Sequence, residues 1–291
     1  MATLTEWVAG ARPRTLPAAL APVLVGTGAA ALAGHVVIAY AVLALVIALA
    51  LQVGVNYAND YSDGIRGTDA DRVGPVRLVG QGLAQPANVK LAAFACFGLA
   101  GLAGLALVGL SGAWLLLPVG LLSIWAAWGY TGGERPYGYA GLGELFVFVF
   151  FGLVATLGTQ YAQVLRLSWF GLLGAVGVGA IAMAILVANN VRDIPSDTVS
   201  GKRTLAVRLG DRWTRRLWLG LVLVSALACG GMWPFAPWAL LGLLALPLSW
   251  RGARAVLGGA HGRDLVPAIA STGLYEIGYA ALVTVGAFLS R

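Results

Sequence analysis

Asparagine and aspartate recur at four-residue steps in two distant parts of the chain. Asn59 and Asp63 form the first series, and Asn189, Asp193 and Asp197 form the second. On a helix, residues four apart share a face, so each series would present its side-chain oxygens together. Carboxylate and amide oxygens suit Mg²⁺, which commonly binds a few carboxylates plus substrate phosphates. The two series therefore predict a magnesium site built from two separate segments.

Basic residues accompany the acids in both segments. The first segment holds a further acid, Asp69, among the arginines Arg66, Arg72 and Arg77, and the second holds Lys202. A metal alone would require only acids, and a phosphate alone would require only bases. Both together, with interspersed glycines for close backbone approach, indicate a metal–diphosphate ligand. Two solvated loop starts would be the alternative, but they would not require the same order of residues twice.

The rest of the chain is apolar enough to require a membrane. Of its 291 residues, 59% are hydrophobic and 11% charged, against about 25% charged in soluble domains. The stretch from Thr15 to Asn59 holds no Asp, Glu, Lys or Arg. Because a spanning helix needs about 20 apolar residues, this stretch holds two helices. We therefore predict an all-α integral membrane protein in the lipid bilayer, with a single domain over residues 1–291.

The apolar segments divide into about nine transmembrane helices, which we expect to surround a cavity for a lipid tail. The predicted helices are 16–33, 36–58, 89–109, 112–131, 141–163, 168–191, 214–232, 235–250 and 268–289. Short, nearly uncharged linkers alternate with longer ones that hold nearly all the charge. The longer linkers are 59–88, 132–140, 192–213 and 251–267. Both acidic series begin such linkers, so the active site is predicted at one mouth of the bundle.

The positive charges predict the orientation. Of the 19 lysines and arginines, only Arg166 and Arg291 fall on the side of the short linkers. Positive charge is retained in the cytoplasm, so the N-terminus and the active-site linkers are predicted to be cytoplasmic, in the cell (inner) membrane. The net charge of +7 is then a topology signal and a contact for anionic lipid, and nucleic acid is not expected as a partner.

The two acidic series resemble the signature motifs of the UbiA superfamily of intramembrane prenyltransferases. Further segments are similar to its MenA branch, the 1,4-dihydroxy-2-naphthoate polyprenyltransferases. These segments are 11–17 (Ala-Arg-Pro-Arg-Thr-Leu-Pro), 59–69, 74–79, 130–133 and 189–210. The resemblance runs from about residue 7 to the end of the chain.

The resemblance implies Mg²⁺ as the cofactor and assigns roles by position. The residues that match or support the metal positions are Asn59, Asp63, Asp69, Asn189, Asp193 and Asp197. Of these, Asp63, Asp193 and Asp197 are implied to be essential for catalysis. The candidates for diphosphate contact are Lys202, Arg72, Arg77 and Arg66. Tyr139 falls where the branch carries a tyrosine near the reacting carbon, although Gly138 stands where some relatives have a lysine.

The implied reaction transfers a polyprenyl group from an allylic polyprenyl diphosphate to 1,4-dihydroxy-2-naphthoate, with loss of CO₂ and pyrophosphate. Its product is demethylmenaquinol, in menaquinone biosynthesis. Another aromatic acceptor, such as 4-hydroxybenzoate or homogentisate, is one alternative, and a membrane transporter is another. A transporter would carry ionisable groups near mid-membrane, and only Glu276 has such a place. Glu276 is either a functional group or a structural one buried in the bundle.

Overall fold

The computed structural model of the chain describes residues 2–67, 76–134 and 136–291, which form ten helices without a β-strand. The helices are α1 (Leu4–Gly10), α2 (Pro17–Leu32), α3 (Ile38–Ile65), α4 (Pro86–Ser111), α5 (Leu116–Gly129), α6 (Gly143–Val164), α7 (Trp169–Val199), α8 (Leu205–Gly231), α9 (Pro237–Leu257) and α10 (Val266–Leu289). Single 3₁₀ turns lie at Pro13–Thr15, Tyr137–Ala140 and Gly262–Leu265. Two predicted site residues, Asp69 and Arg72, lie outside the described residues.

Each of the nine predicted helices corresponds to one of α2 to α10, and the all-helical membrane fold is confirmed. In the described residues, six helices are long and apolar enough to cross a membrane, and the bent pair α1–α2 would make a seventh. The six or seven spans that helix length and composition identify are thus fewer than the nine or so transmembrane helices that the sequence predicts. Helix α5 has 14 residues, fewer than the roughly 20 that a full span needs. The first turns of α8 carry Asp211, Arg212, Arg215 and Arg216, which shortens its apolar part.

Both helices that carry an acidic series run past their predicted ends. We expected ends at residues 58 and 191, but α3 continues to Ile65 and α7 to Val199. The extra turns of α3 are stable because Asp60 is fully buried and accepts from two backbone N–H groups, those of Leu78 (2.7 Å) and Val79 (2.9 Å). The acidic series therefore lie on helical turns, where the four-residue spacing places them on one face.

Two spans depart from α-helical geometry. Helix α6 contains a π-helical stretch at Phe148–Val154, where a Cβ on Gly152 would lie 2.7 Å from the Cα of Gly179 on α7. The close approach of these helices thus depends on two glycines. Helix α9 begins with 13 residues of 3₁₀ helix, Pro237–Ser249. Because a 3₁₀ helix rises about 2.0 Å per residue, these cover about 26 Å, so the segment is longer than its residue count suggests.

The packing of the helices is uneven. Helices α7, α8, α9 and α10, with part of α2, share a hydrophobic core in which Trp218, Tyr275 and Tyr279 are fully buried. Helices α2 to α7 instead surround a cavity of about 1380 Å³. Helices α8 to α10 therefore form most of a packed scaffold, and α3 to α6 surround the space in which a ligand can bind. Helices α2 and α7 contribute to both.

Candidate active site at the polar mouth of the cavity

The cavity has a polar end and an apolar end. The predicted site residues that line its polar end are Asn59, Asp63, Arg77, Tyr139, Asn189, Asp193, Asp197 and Lys202. The apolar part of the wall comes from α2 to α7; it includes Ala44, Ile47, Leu107, Leu116 and Val154. A single cavity therefore joins a charged pocket to a space that suits a hydrocarbon chain.

Asp63 is the centre of the polar end. Its carboxylate accepts a hydrogen bond from Lys202 Nζ at 2.9 Å and lies 3.9 Å from the guanidinium of Arg77. Tyr139 donates its phenolic O–H to the same carboxylate. Asp63, Lys202 and Arg77 are each at most 6% exposed. Buried charges require such partners, so this cluster holds a carboxylate that would otherwise be costly to desolvate.

Tyr139 connects the two acidic segments. Its ring lies beneath the Lys202 ammonium, 4.5 Å from ring centre to Nζ, and its backbone carbonyl accepts from the N–H of Arg203 at 3.0 Å. Burial and the neighbouring Asp63 carboxylate raise the pKa of the Tyr139 phenol well above its usual value. The phenol is therefore a proton donor to Asp63 throughout the neutral and mildly alkaline range.

The close turn before Tyr139 explains the glycine at position 138. The N–H of Gly138 donates to the carbonyl of Tyr130 at 3.0 Å, and a Cβ at this position would lie 2.6 Å from that carbonyl oxygen. A side chain at this position, such as that of a lysine, would require the turn to shift. Among the residues that the structure describes, Lys202 and Arg66 have their charged groups 4.5 and 5.3 Å from the centre of the Tyr139 ring.

Each aspartate of the second series contacts a residue that is close to it in the sequence. Arg192 binds its neighbour Asp193 with two hydrogen bonds, from Nε at 2.7 Å and Nη2 at 2.8 Å. Asp197 accepts from the hydroxyl of Thr204 at 3.5 Å. After α7 ends, Gly201 adopts a left-handed conformation (φ +73°), and the N–H of Lys202 then bonds the carbonyl of Asp197 at 2.9 Å. This turn directs the Lys202 side chain back to Asp63.

The two asparagines are oriented by hydrogen bonds. Thr131 donates to Asn59 Oδ1 at 2.7 Å, and Asn189 donates its Nδ2 to the carbonyl of Ile185 at 3.0 Å. The latter bond leaves the amide oxygen of Asn189 for a ligand, and Asn59 Oδ1 retains a second lone pair. Arg66, in contrast, does not line the cavity, because its guanidinium donates to the carbonyls of Thr131 and Gly133.

Aromatic rings form one wall beyond the charged cluster. Tyr137 stacks on Phe146 with ring centres 3.9 Å apart, and Tyr130 and Phe150 contact these two rings. All four line the cavity. Aromatic faces attract cations and exclude water, so this wall would stabilise a transient positive charge in the cavity.

Sequence reasoning missed a polar face of α3 and the segment that contacts it. Gln52 and Asn56 donate to the hydroxyl of Thr15 at 2.9 and 3.0 Å, and both line the cavity with Arg12 and Arg14. The signal was present, because Gln52 and Asn56 continue the helical spacing of Asn59 and Asp63 toward the N-terminus of α3. The N-terminal segment thus closes one side of the site.

Glu276 lies outside this site. It is fully buried in α10 and does not line the cavity, and neither of its carboxyl oxygens has a hydrogen-bond partner in the described part of the chain. Its position thus agrees with the structural interpretation rather than with a role in the cavity.

The matching profile of a protein family covers most of the chain. A profile described as the UbiA prenyltransferase family matches residues 19–259. A protein named 1,4-dihydroxy-2-naphthoate octaprenyltransferase from Mycobacterium tuberculosis is 56% identical over 97% of each chain. The protein of that name from Escherichia coli is 39% identical, covering 98% of this chain and 96% of its own.

Solved structures have a similar fold. A UbiA homologue from Archaeoglobus fulgidus, bound to GPP and Mg²⁺, superposes with a TM-score of 0.68 over 96% of this chain and 99% of its own, at 14% sequence identity. A structure described as digeranylgeranylglyceryl phosphate synthase gives a TM-score of 0.64 over 98% and 99% of the two chains, at 13% identity. At such identities the likeness concerns the arrangement of the helices.

Proposed function

We propose that this chain, which belongs to the UbiA prenyltransferase family, transfers a polyprenyl group from an allylic polyprenyl diphosphate to 1,4-dihydroxy-2-naphthoate. CO₂ and pyrophosphate leave, and the product is demethylmenaquinol, in menaquinone biosynthesis. We infer the reaction class from the cavity, because the cavity joins a cluster of acids and bases to an apolar space that suits a prenyl tail. The acceptor is proposed from relatives named for it, which match nearly the whole chain.

The donor set of the polar end suits Mg²⁺. Asp63, Asp193 and Asp197 would hold it, with the amide oxygens of Asn59 and Asn189 in support. Within residues 2–67, 76–134 and 136–291, no three carboxylates form a metal-binding group by themselves. Substrate phosphates would complete the coordination, as they commonly do for Mg²⁺. When bound with the diphosphate, the ion would neutralise charge that develops on the leaving pyrophosphate.

Lys202 and Arg77 are proposed to bind the diphosphate. Both already contact the Asp63 carboxylate, so each can exchange that contact for a phosphate oxygen when an anionic substrate enters. Fixed cations at the position where negative charge develops favour departure of the leaving group. Arg72 is proposed for the same role from its place in the sequence, while Arg66 positions the linker through the carbonyls of Thr131 and Gly133.

The apolar part of the cavity is proposed to protect the allylic cation. The prenyl chain would lie along α3 to α6, and the aromatic wall at Tyr137 and Phe146 would face the cationic end. Exclusion of water prevents loss of the cation as an alcohol. The electron-rich ring of the acceptor then attacks, and the departing carboxylate releases the electron pair that restores aromaticity. No base is needed to remove a ring proton, and the described lining contains neither His nor Cys.

The orientation is proposed from charge. The chain is a multi-pass membrane protein, and all lysines and arginines except Arg166 and Arg291 lie at the end that holds the active site or in linkers on that side. We infer that this end faces the cytoplasm in the inner membrane. Both the diphosphate and the naphthoate would then be bound from the cytoplasmic side.

The deciding experiment is an assay of the detergent-purified protein. An allylic polyprenyl diphosphate is supplied with Mg²⁺ and a panel of 1,4-dihydroxy-2-naphthoate, 4-hydroxybenzoate and homogentisate. We expect prenylated product and CO₂ from the naphthoate alone, complete loss of activity with excess chelator, and recovery with Mg²⁺. Turnover of another acid in preference would change the acceptor, and full activity in chelator would contradict the metal–diphosphate site.

A further inference from the structure

The cavity wall carries an uncharged polar side chain about two helical turns from the acidic series of α3. Gln52 precedes Asn59 on the same face of the helix and lies about 10 Å farther from the charged mouth. It is buried and lines the cavity. Its neighbours in the wall, Leu51 and Val55, are apolar. An amide is thus present where the site passes from its charged end to its apolar end.

The hydrogen bonds of Thr15 determine which way this amide faces. The Thr15 hydroxyl donates its proton to the carbonyl of Arg12 at 2.9 Å, so its oxygen can only accept from the amides beside it. Gln52 Nε2 donates to this oxygen at 2.9 Å, and Asn56 Nδ2 donates to it at 3.0 Å. The nitrogen of the Gln52 amide is therefore held against the N-terminal segment, and its oxygen is left for another contact.

Gln52 Oε1 accepts no hydrogen bond from the residues that the structure describes. It nevertheless retains accessible surface, in contrast to Gln160 Oε1, which is sealed inside the protein. Because Gln52 belongs to the cavity wall, this surface opens to the cavity. A hydrocarbon chain over the oxygen would remove its water and leave it unpaired, which is costly. This part of the wall therefore suits a ligand that donates an O–H or N–H, rather than the prenyl tail.

The acceptor proposed above provides such a donor. 1,4-Dihydroxy-2-naphthoate has hydroxyls at C1 and C4, and the prenyl group replaces the carboxylate at C2. The C1 hydroxyl adjoins that carboxylate and can donate to it internally, whereas the C4 hydroxyl has no acceptor within the molecule. With C2 beside the diphosphate, close to Asp63 and Asn59, the C4 hydroxyl can extend along α3 to Gln52.

We propose, on the basis of the reaction proposed above, that Gln52 Oε1 accepts a hydrogen bond from the C4 hydroxyl of the acceptor. Gln52 thereby selects a 1,4-dihydroxy ring. Thr15 and Asn56 are positioning residues, because they bind the amide nitrogen and so direct its oxygen. A ring without the C4 hydroxyl leaves the oxygen covered and unpaired, and a site built to bind a substrate hydroxyl rejects analogues that lack it.

Binding of two acids to the full chain in detergent tests this without turnover. Calorimetric titration under anaerobic conditions, with Mg²⁺ and inorganic pyrophosphate present, compares the dihydroxy acid with 1-hydroxy-2-naphthoate, which lacks only the C4 hydroxyl. We expect the parent protein to bind the dihydroxy acid about tenfold more tightly. In Gln52→Leu this preference should fall to about twofold or less, because the accepting atom is lost. Gln160→Leu is the control and should keep the preference, since Gln160 is a buried amide outside this cavity.

The comparison in the parent protein does not depend on the folding of any variant. A preference below about twofold in the parent would overturn the proposal, and so would an unchanged preference in folded Gln52→Leu. Equal weakening of both acids by Gln52→Leu would also contradict it, because the amide would then only support the structure. None of these results contradicts the proposed reaction, which fails instead if the parent protein does not prenylate the dihydroxy acid.

Discussion

The two acidic series have the same spacing but different partners. Asp63, at the end of α3, is contacted by Lys202 and Tyr139, which belong to two other segments far along the chain. Asp193, at the end of α7, is bound by the adjacent Arg192. Segments far apart in the chain thus meet at Asp63, whereas Arg192 binds Asp193 from the next position of the same helix.

This difference separates two kinds of effect that a substitution can have. Loss of any proposed metal-binding carboxylate should remove catalysis, and loss of Asp63 also takes a carboxylate from the buried Lys202, which belongs to a distant segment. Both pairs are buried: the side chains of Asp63 and Lys202 are 4% and 6% exposed, and those of Asp193 and Arg192 are 2% and 7% exposed. Removing either aspartate therefore leaves a buried cation without that carboxylate. Activity and stability measured on the same variants should thus separate the loss of the proposed metal site from the loss of a buried ion pair.

The largest expected effect is the loss of activity in Asp63→Ala, Asp193→Ala and Asp197→Ala. Each should fall by about 10²-fold or more, because each removes a proposed metal ligand. Asp63→Ala and Asp193→Ala should also each lower the free energy of unfolding by about 3 kcal/mol, because each breaks a buried ion pair. Prenyl transfer and thermal unfolding in detergent measure both effects.

Two control variants sharpen this test. Asp211→Ala removes a carboxylate that binds Arg215 away from the cavity, and it should remain active. Asp60→Ala should lower stability through the lost bonds to Leu78 and Val79. Normal turnover by folded Asp193→Ala would remove the second series from the site.

A smaller loss is expected for Lys202→Ala. A lost charge-assisted contact costs about 2–3 kcal/mol, so KM for the prenyl diphosphate should rise, or kcat fall, by about 30-fold or more. The preference among aromatic acids should barely change. Arg77→Ala should behave in the same way because it also lines the cavity beside Asp63. If the loss were instead confined to the aromatic acid, the residue would belong to the acceptor pocket.

Tyr139→Phe should have a moderate effect. It keeps the ring beneath Lys202 but removes the O–H that binds Asp63, and one hydrogen bond to a charged group corresponds to about tenfold in activity. Since the pKa of the phenol is raised, it stays protonated as the pH rises through the usual tyrosine range. The parent enzyme and Tyr139→Phe should thus have pH profiles of the same shape from neutral to mildly alkaline pH. An alkaline loss of activity in the parent alone would contradict this.

The smallest effect is expected for Glu276→Gln. Glu276 does not line the cavity, and glutamine keeps its size, so turnover should stay within about twofold. Glu276→Leu is the companion variant, in which any change should affect thermal stability more than kcat. A large fall in kcat for stable Glu276→Gln would show that the buried carboxyl acts in the reaction.

Several parts of the fold and site could be predicted because they depend on local pattern. Runs without charge predict helices, and the positions of α2 to α10 follow from them. The ends of α3 and α7 could not be predicted, since Asp60 looks like a linker residue until the backbone of Leu78 and Val79 binds it. The roles of Asp69 and Arg72 stay predictions, because these residues lie outside the described part of the chain.

The sequence by itself determined the chemical content of the site, since residue type and four-residue spacing specify which oxygens can share a helical face. Only the tertiary structure decided which segments meet. Lys202 binds an aspartate 139 positions away, Arg66 binds backbone instead of lining the cavity, and Gln52 and Asn56 extend the polar face. Such contacts depend on how whole helices pack, and neither spacing nor composition carries that information.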